Sequence, residues 1–234
     1  MNGEALWELQ QLDTALDQSR RRLTRLPEAQ AFAAADALLS DHRAAVATTA
    51  KQLTEAEATI EATEREAGEL TAKRTRLEQQ LKIVNEARQA DALNHQIETI
   101  NGQRDELDDR ELEAMELQGT AEARLAELAA QEDAIVATRE SAAAQLAAAH
   151  GAGVEEEAEL SARYEAARAE LNFDEIALYD IQRARHGGIG IAKLIGTRCD
   201  GCHLDVSRAE VDAIRALPAG ELGDCPQCGR VLVR

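Results

Sequence analysis

Aromatic residues are nearly missing from this chain: 234 residues include one Trp, two Tyr and two Phe. Aromatic side chains supply the largest buried areas in ordinary cores, so their scarcity argues against one compact globular domain. Cysteine is absent from the first 198 residues, which excludes disulfide or thiolate chemistry there. No run approaches the roughly 18 to 20 consecutive apolar residues of a membrane span. The opening "MNGEALWELQ" lacks a basic, then apolar, secretory leader, so the expected location is the cytoplasm.

Ala, Glu, Leu, Arg and Gln are abundant instead, the usage of long helices. Formal charge is −18, and its placement is uneven. Residues 187–234 carry six basic and six acidic side chains, so the whole excess lies on 1–186. An acidic surface of that size repels phosphate backbones, and its simplest role is to keep a long helix dissolved.

Every seventh residue from Phe32 reads Phe32, Leu39, Val46, Leu53, Ile60, Ala67, Arg74, Leu81. Three residues on, a companion series reads Ala35, His42, Thr49, Ala56, Thr63, Leu70, Leu77, Val84. Spacings alternating between three and four are the seam of a coiled coil, and the first series is the more apolar side. After a gap the pattern returns as the unbroken column Leu93, Ile100, Leu107, Ala114, Ala121, Leu128, Ile135, Ala142, Ala149. Its companion from Ile97 through Arg104 and Glu111 to Leu146 is mixed. An Ala-rich seam stabilises weakly per turn, so length must compensate; a 55-residue helix would be roughly 80 Å long. The seam loses phase in "IVNEARQ", residues 83–89. That stretch reads as a hairpin tip returning the second helix antiparallel to the first, in preference to one continuous helix dimerising in parallel.

Pro27 suits a first helical turn and breaks an interior, so residues 4–26 are expected as a separate helix or a kinked start, with Leu9, Leu12, Leu16, Leu23 and Leu26 as its seam. "HGAG", 150–153, is an expected weak point on the return arm, because two glycines cost about 2 kcal/mol of helix propensity relative to Ala. "FDEIALYDIQRAR" predicts a last helix packed on the hairpin base and on the C-terminal segment.

All four cysteines lie in that C-terminal segment, as Cys199-x2-Cys202 and Cys225-x2-Cys228. A two-residue turn lets both thiolates of a pair reach one ion at about 2.3 Å, and two such turns make the four-sulfur shell of structural Zn²⁺. Two disulfides, free thiols and a four-cysteine iron site are the other readings; a reducing cytoplasm and the matched pairs favour zinc. Gly201 and Gly229 suit the knuckles, and Pro226 stiffens the second. The flanks "GIAKLIGTRC", "HLDV" and "RVLV" are strand-like, and Ser207 with Glu210 predicts a capped helix between the knuckles. His203 and His186 could replace a thiolate, but four cysteines already complete the shell. A closed sulfur shell has no open position for water, so no enzymatic activity is expected. "RHGGIGIAK", 185–193, lacks phosphate-loop spacing and reads as a turn coupling helix to ribbon.

The fold class is therefore mainly α: a long antiparallel coiled-coil hairpin over 1–186 with its tip near 83–89, then a small four-cysteine zinc ribbon of β-hairpins and a short helix over 187–234. Three stretches, "ARQADALNHQIETINGQRDELDDRELEAMEL", "LYDIQRARHGGIGIAKLIGTRCDGCHLDVS" and "CPQCGRVLVR", resemble a bacterial family of coiled-coil hairpins with a C-terminal C4-type zinc ribbon. The Arg- and Ala-rich composition is similar to that of an actinobacterial member. The resemblance implies one Zn²⁺ on Cys199, Cys202, Cys225 and Cys228, and a protein-binding role. Some members are flagellar chaperones that contact an alternative sigma factor, and nucleic-acid binding is a second implied role.

The expected function is a non-enzymatic, chaperone-like adaptor for a protein partner, with no membrane and no small-molecule substrate. The alternative is nucleic-acid binding through the ribbon, with Lys193, Arg198, Arg230 and Arg234 as phosphate contacts. Against that alternative, residues 187–234 have neither a net positive charge nor an aromatic side chain on which a base could stack.

Overall fold

The computed structural model describes residues 1–234. Five helices and four short strands follow in order: α1 (Gly3–Leu23), α2 (Pro27–Ile83), α3 (Ala87–Ala169), α4 (Phe173–Arg185), β1 (Ile191–Ile195), β2 (Arg198–Cys199), α5 (Arg208–Arg215), β3 (Gly223–Asp224) and β4 (Val231–Val233). No helix is long and apolar enough to cross a membrane. The chain divides into two compact units, Ala31–Ala142 and the combination of Met1–Gln30 with Ala143–Arg234.

Within Ala31–Ala142, α2 ends at Ile83 and α3 begins at Ala87, so three residues turn the chain where the seam lost phase. Partners across the hairpin are spaced as an antiparallel pair demands. Asp36 meets Arg139 at 2.9 Å, His42 Nε2 lies 2.9 Å from the Leu128 carbonyl, and Arg74 reaches Asn101 at 3.4 Å. Arg139 also lies over the Phe32 ring, 5.0 Å from its centroid.

On α3 the buried residues are Ile100, Leu107, Ala114, Ala121, Leu128 and Ala142, all from the apolar column. On α2 the outcome is less expected. The deepest positions are Ala35, Leu39, His42, Thr49, Ala56 and Thr63, mostly the smaller and more polar series, whereas Phe32, Val46, Leu53 and Ile60 are only half-buried. Small side chains let the backbones approach closely, and the larger residues then flank the contact. The cost of burying hydroxyls is met inside the helix: Thr63 Oγ1, fully buried, donates to the carbonyls of Ile60 and Thr59 at 2.9 and 3.0 Å.

In the other unit, α1 stops at Leu23 and α2 starts at Pro27, so the proline marks a break between helices. The glycines of "HGAG" do not interrupt α3. A Cβ on Gly153 would lie 2.5 Å from Leu23 Cδ2, so this glycine lets α1 approach α3 closely.

The strands form one sheet in the order β2-β1-β4-β3. β1–β2 and β3–β4 are antiparallel, while β1 and β4 pair in parallel, Ile191 beside Val231 and Lys193 beside Val233. One side of the sheet packs with α5 and the cysteines through Leu194, Val206, Val211, Ile214 and Leu232. The other packs with α1 and α4 through Leu6, Leu9, Leu171, Tyr179, Ile191, Val231 and Val233. A sheet this small is therefore covered on both faces, one of them by the start of the chain.

Candidate metal centre

Two knuckles converge, one beginning on β2 and one between β3 and β4. In the first, β2 delivers Cys199, the His203 N–H donates to the Cys199 carbonyl at 2.9 Å, and the Cys199 N–H donates to the Leu204 carbonyl at 3.2 Å. In the second, the Gly229 N–H donates to the Cys225 carbonyl at 2.8 Å, and the Cys225 N–H donates to the Arg230 carbonyl at 2.8 Å. The same pattern recurs at the same offsets, so the two Cys-x-x-Cys turns have one geometry. The residue after each second cysteine lies in the left-handed region, Gly229 at φ 72° and His203 at φ 60°. Glycine adopts that conformation without strain, and His203 is the chain's one non-glycine residue with positive φ. Gly201 serves another need: a Cβ there would lie 2.8 Å from Arg230 Cδ and 3.0 Å from Ala192 Cβ.

These turns bring the four Sγ atoms of Cys199, Cys202, Cys225 and Cys228 within 4.8 Å of one another, with Cys202 and Cys225 at 4.0 Å. All four are free cysteines, and the cluster contains neither His186 nor His203. Cys199 and Cys225 are buried, while Cys202 and Cys228 are half-buried. Burial pushes the Cys199 thiol up to about 12, although the backbone N–H groups of Cys202 and Gly201 bond its sulfur. Burial likewise raises Cys225, against N–H bonds from Gln227 and Cys228. Burial also acts upward on Cys228, but the backbone and side chain of Arg230, with the neighbouring thiols, outweigh it and set that group at about 7. Backbone N–H groups aimed at sulfur stabilise thiolate, the form a metal binds. The spacing, the all-thiol donor set and these N–H groups fit one zinc ion.

The four candidate phosphate contacts all bond within the chain, and the Arg230 side chain also faces the Cys228 sulfur. Lys193 Nζ lies 3.4 Å from a Glu4 carboxylate oxygen. Arg198 Nε donates to the His203 carbonyl and Arg230 Nε to the Ile189 carbonyl, both at 2.7 Å. Arg234 bonds the carbonyls of Arg215, Leu217, Pro218 and Glu221 at 2.8 to 3.3 Å, closing the end of α5. Each is engaged with its own chain, largely in holding the ribbon together.

Sequence reasoning missed a polar latch behind the ribbon. Gln10, 1% exposed, accepts the N–H groups of Gly190 and Ile191 at 2.8 and 3.2 Å and donates to the Gly188 carbonyl at 2.9 Å. Asp13, 4% exposed, accepts from the Tyr179 hydroxyl at 2.7 Å and from two nitrogens of Arg183. Burial, then that bond to Asp13, raises the Tyr179 pKa and keeps the hydroxyl a donor. Glu175 accepts the N–H groups of Asn2 and Asn172 at 2.6 and 3.1 Å, and the Asn2 bond holds its carboxyl below the usual value. The available signal was Gln10 and Asp13 lying three residues apart beside the leucine stripe of α1.

Comparison with known proteins agrees with this architecture. A protein of Mycobacterium tuberculosis (strain ATCC 25618 / H37Rv), named as uncharacterized, is 31% identical over 98% of this chain and 94% of its own. A solved structure from Mycobacterium smegmatis superposes with a TM-score of 0.79 at 24% identity, covering 97% of this chain and 94% of that one. That of CT398 from Chlamydia trachomatis gives 0.77 at 20% identity, covering 98% and 97%. The family model described as the CT398-like coiled coil hairpin domain matches residues 9–187, and the chain belongs to that family.

Proposed function

We propose that this protein is a non-enzymatic adaptor of the cytoplasm, in which Cys199, Cys202, Cys225 and Cys228 hold one structural zinc ion and the coiled-coil hairpin and ribbon engage a protein partner. The observation that carries the reading is the pair of matched knuckles with four thiols within 4.8 Å. The ion would tie β2 to the β3–β4 turn, a cross-link between segments about 26 residues apart in a sheet of very short strands. Four thiol donors leave no place for a reacting water, so the ion's contribution is folding energy. The coiled-coil hairpin, 1–186, and the ribbon, 187–234, act as two functional parts coupled by the glycine-rich turn before β1.

A protein partner is favoured over nucleic acid because Lys193, Arg198, Arg230 and Arg234 already bond within the chain and the surface is acidic overall.

Elemental analysis of the purified chain tests the metal: one zinc per chain is expected, and none in a Cys225→Ser, Cys228→Ser variant. Iron in place of zinc, or no metal in either protein, sinks the assignment. Pull-downs with the two proteins, half of each treated with nuclease, test the partner class. Partners that survive nuclease and depend on the cysteines support the adaptor; partners released by nuclease refute it.

A further inference from the structure

Charge along Ala31–Ala142 is strongly segregated. Residues 70–90, around the tip, hold Lys73, Arg74, Arg76, Lys82 and Arg88 against Glu78 and Glu86, a net of +3. Residues 105–116 of α3 hold seven carboxylates against Arg110, a net of −6. The facing stretch of α2, 55–69, holds six carboxylates against Arg65, a net of −5. Little of this is neutralised internally. Arg74 pairs with Glu78 and Glu55 with Lys51, whereas Lys73, Arg76, Lys82, Arg88 and all seven carboxylates of 105–116 have no ion pair. Large apolar side chains stand uncovered in both places: Ile83 is 78% exposed at the tip, and Leu112 and Leu117 are 61% and 64% exposed in the acidic belt.

We propose that tip and belt are the two halves of one self-complementary surface, and that the chain forms an antiparallel two-fold dimer in which each tip docks on the belt of a second copy. Residues 85 and 111 mark the two centres, about 26 residues or about 39 Å apart along α3. A two-fold axis halfway between them sets tip on belt twice at once, which is the requirement of an isologous interface. Two helices, each about 10 Å across, side by side over about 39 Å offer about 800 Å² per partner, the size of a standard specific interface. The orientation follows from charge. A parallel pair would stack +3 on +3 and −6 on −6, whereas the antiparallel pair opposes unlike charges and brings Ile83 toward Leu112 and Leu117.

Sedimentation of the full chain tests this. A dimer is expected at 0.1 M salt, where the screening length is about 10 Å, and its dissociation constant should rise about tenfold or more at 1 M, where that length is about 3 Å. Carbodiimide, which joins a Lys amine directly to a carboxylate, should link Lys82 to residues 105–116. Within one chain Asp105 lies about 27 Å along α3 from Ala87 at the tip, too far for a direct link, so such a product is intermolecular. A Lys82→Glu, Arg88→Glu chain, whose tip falls from +3 to −1, should be monomeric, and an Asp108→Lys, Asp109→Lys chain, whose belt on α3 falls from −6 to −2, should dimerise at least about tenfold more weakly. In an equimolar mixture the Lys82→Glu, Arg88→Glu chain should dimerise again with the other, because one tip–belt contact is then +3 on −6 while the second, −1 on −2, is nearly neutral. Helical circular dichroism of each variant shows that it remains folded. A monomer at every salt concentration, a dimer whose Lys82 links lie outside 105–116, or a mixture that stays monomeric overturns the proposal. So does a wild-type monomer whose tip binds anionic vesicles or an acidic protein.

Discussion

Leu9→Ala is the sharpest test of the arrangement that seats the first helix on the sheet. Leu9 is fully buried, and with Leu6 it packs against Leu171, Tyr179, Ile191, Val231 and Val233. Truncation removes three carbons, worth about 2.4 kcal/mol at about 0.8 kcal/mol each. Incomplete collapse around the vacated space raises the expected loss to about 3 to 5 kcal/mol. Helix propensity cannot produce that loss, since Ala is the better helix former. The assay is built in: Trp7, the sole tryptophan, lies on α1 and packs against the same cluster. Urea titration followed by Trp7 fluorescence should move the midpoint down by about 1.5 to 2.5 M for a slope of about 2 kcal/mol per M. Leu38→Ala, at a position 50% exposed on α2, should cost less than about 0.5 kcal/mol. A Leu9→Ala loss under about 1 kcal/mol would refute the seating of α1, and with it the view that the ribbon is held from both faces.

Three other outcomes follow from the same contacts. Asp13→Ala leaves the buried Tyr179 hydroxyl without an acceptor while Arg183, 38% exposed, rehydrates, so the Trp7 titration should show a loss of about 2 to 3 kcal/mol, less for Asp13→Asn. Because Glu175 has a depressed folded pKa, its contribution is present in full above the unfolded value near 4.5 and fades as pH falls through the lower folded value. Trp7 fluorescence should therefore report loosening of α1 only below pH 4.5, and Glu175→Gln should remove that acid transition; a transition that persists unchanged in the variant counts against this assignment. Gly190→Ala would set a Cβ 2.5 Å from the backbone of Gln182 and Arg183 and should destabilise the ribbon, whereas Gly119→Ala meets nothing within 4 Å and should stabilise the hairpin by about 1 kcal/mol, both read as shifts in melting temperature.

The hairpin was legible because its information is local. A 3.5-residue repeat tells which face of each helix is buried, and its loss of phase at Asn85 located a turn that the structure confines to Val84–Glu86. The break at Pro27, the cap Ser207–Glu210 and the two Cys-x-x-Cys turns are properties of a few neighbouring residues, and they could be read directly. Apolarity misjudged depth on α2, where Ala56 and Thr63 are buried beneath the larger Leu53 and Ile60, because close approach depends on what the facing helix presents. The use of Gly153 was hidden for the same reason: Leu23, 130 residues earlier, occupies the space where a Cβ would lie.

By itself, the sequence determined the elements of this protein: two long helices joined by a tight turn, a capped short helix, and four thiols grouped in pairs that suit one ion. Each rests on backbone preference or side-chain spacing within a turn or two. Only the tertiary structure decided that α1 returns to cover the sheet, that β1 and β4 pair in parallel, and that Gln10, Asp13 and Glu175 bind groups up to 181 residues away. Those contacts have no periodic signature, since a buried hydrogen bond is specified by where two distant backbones meet.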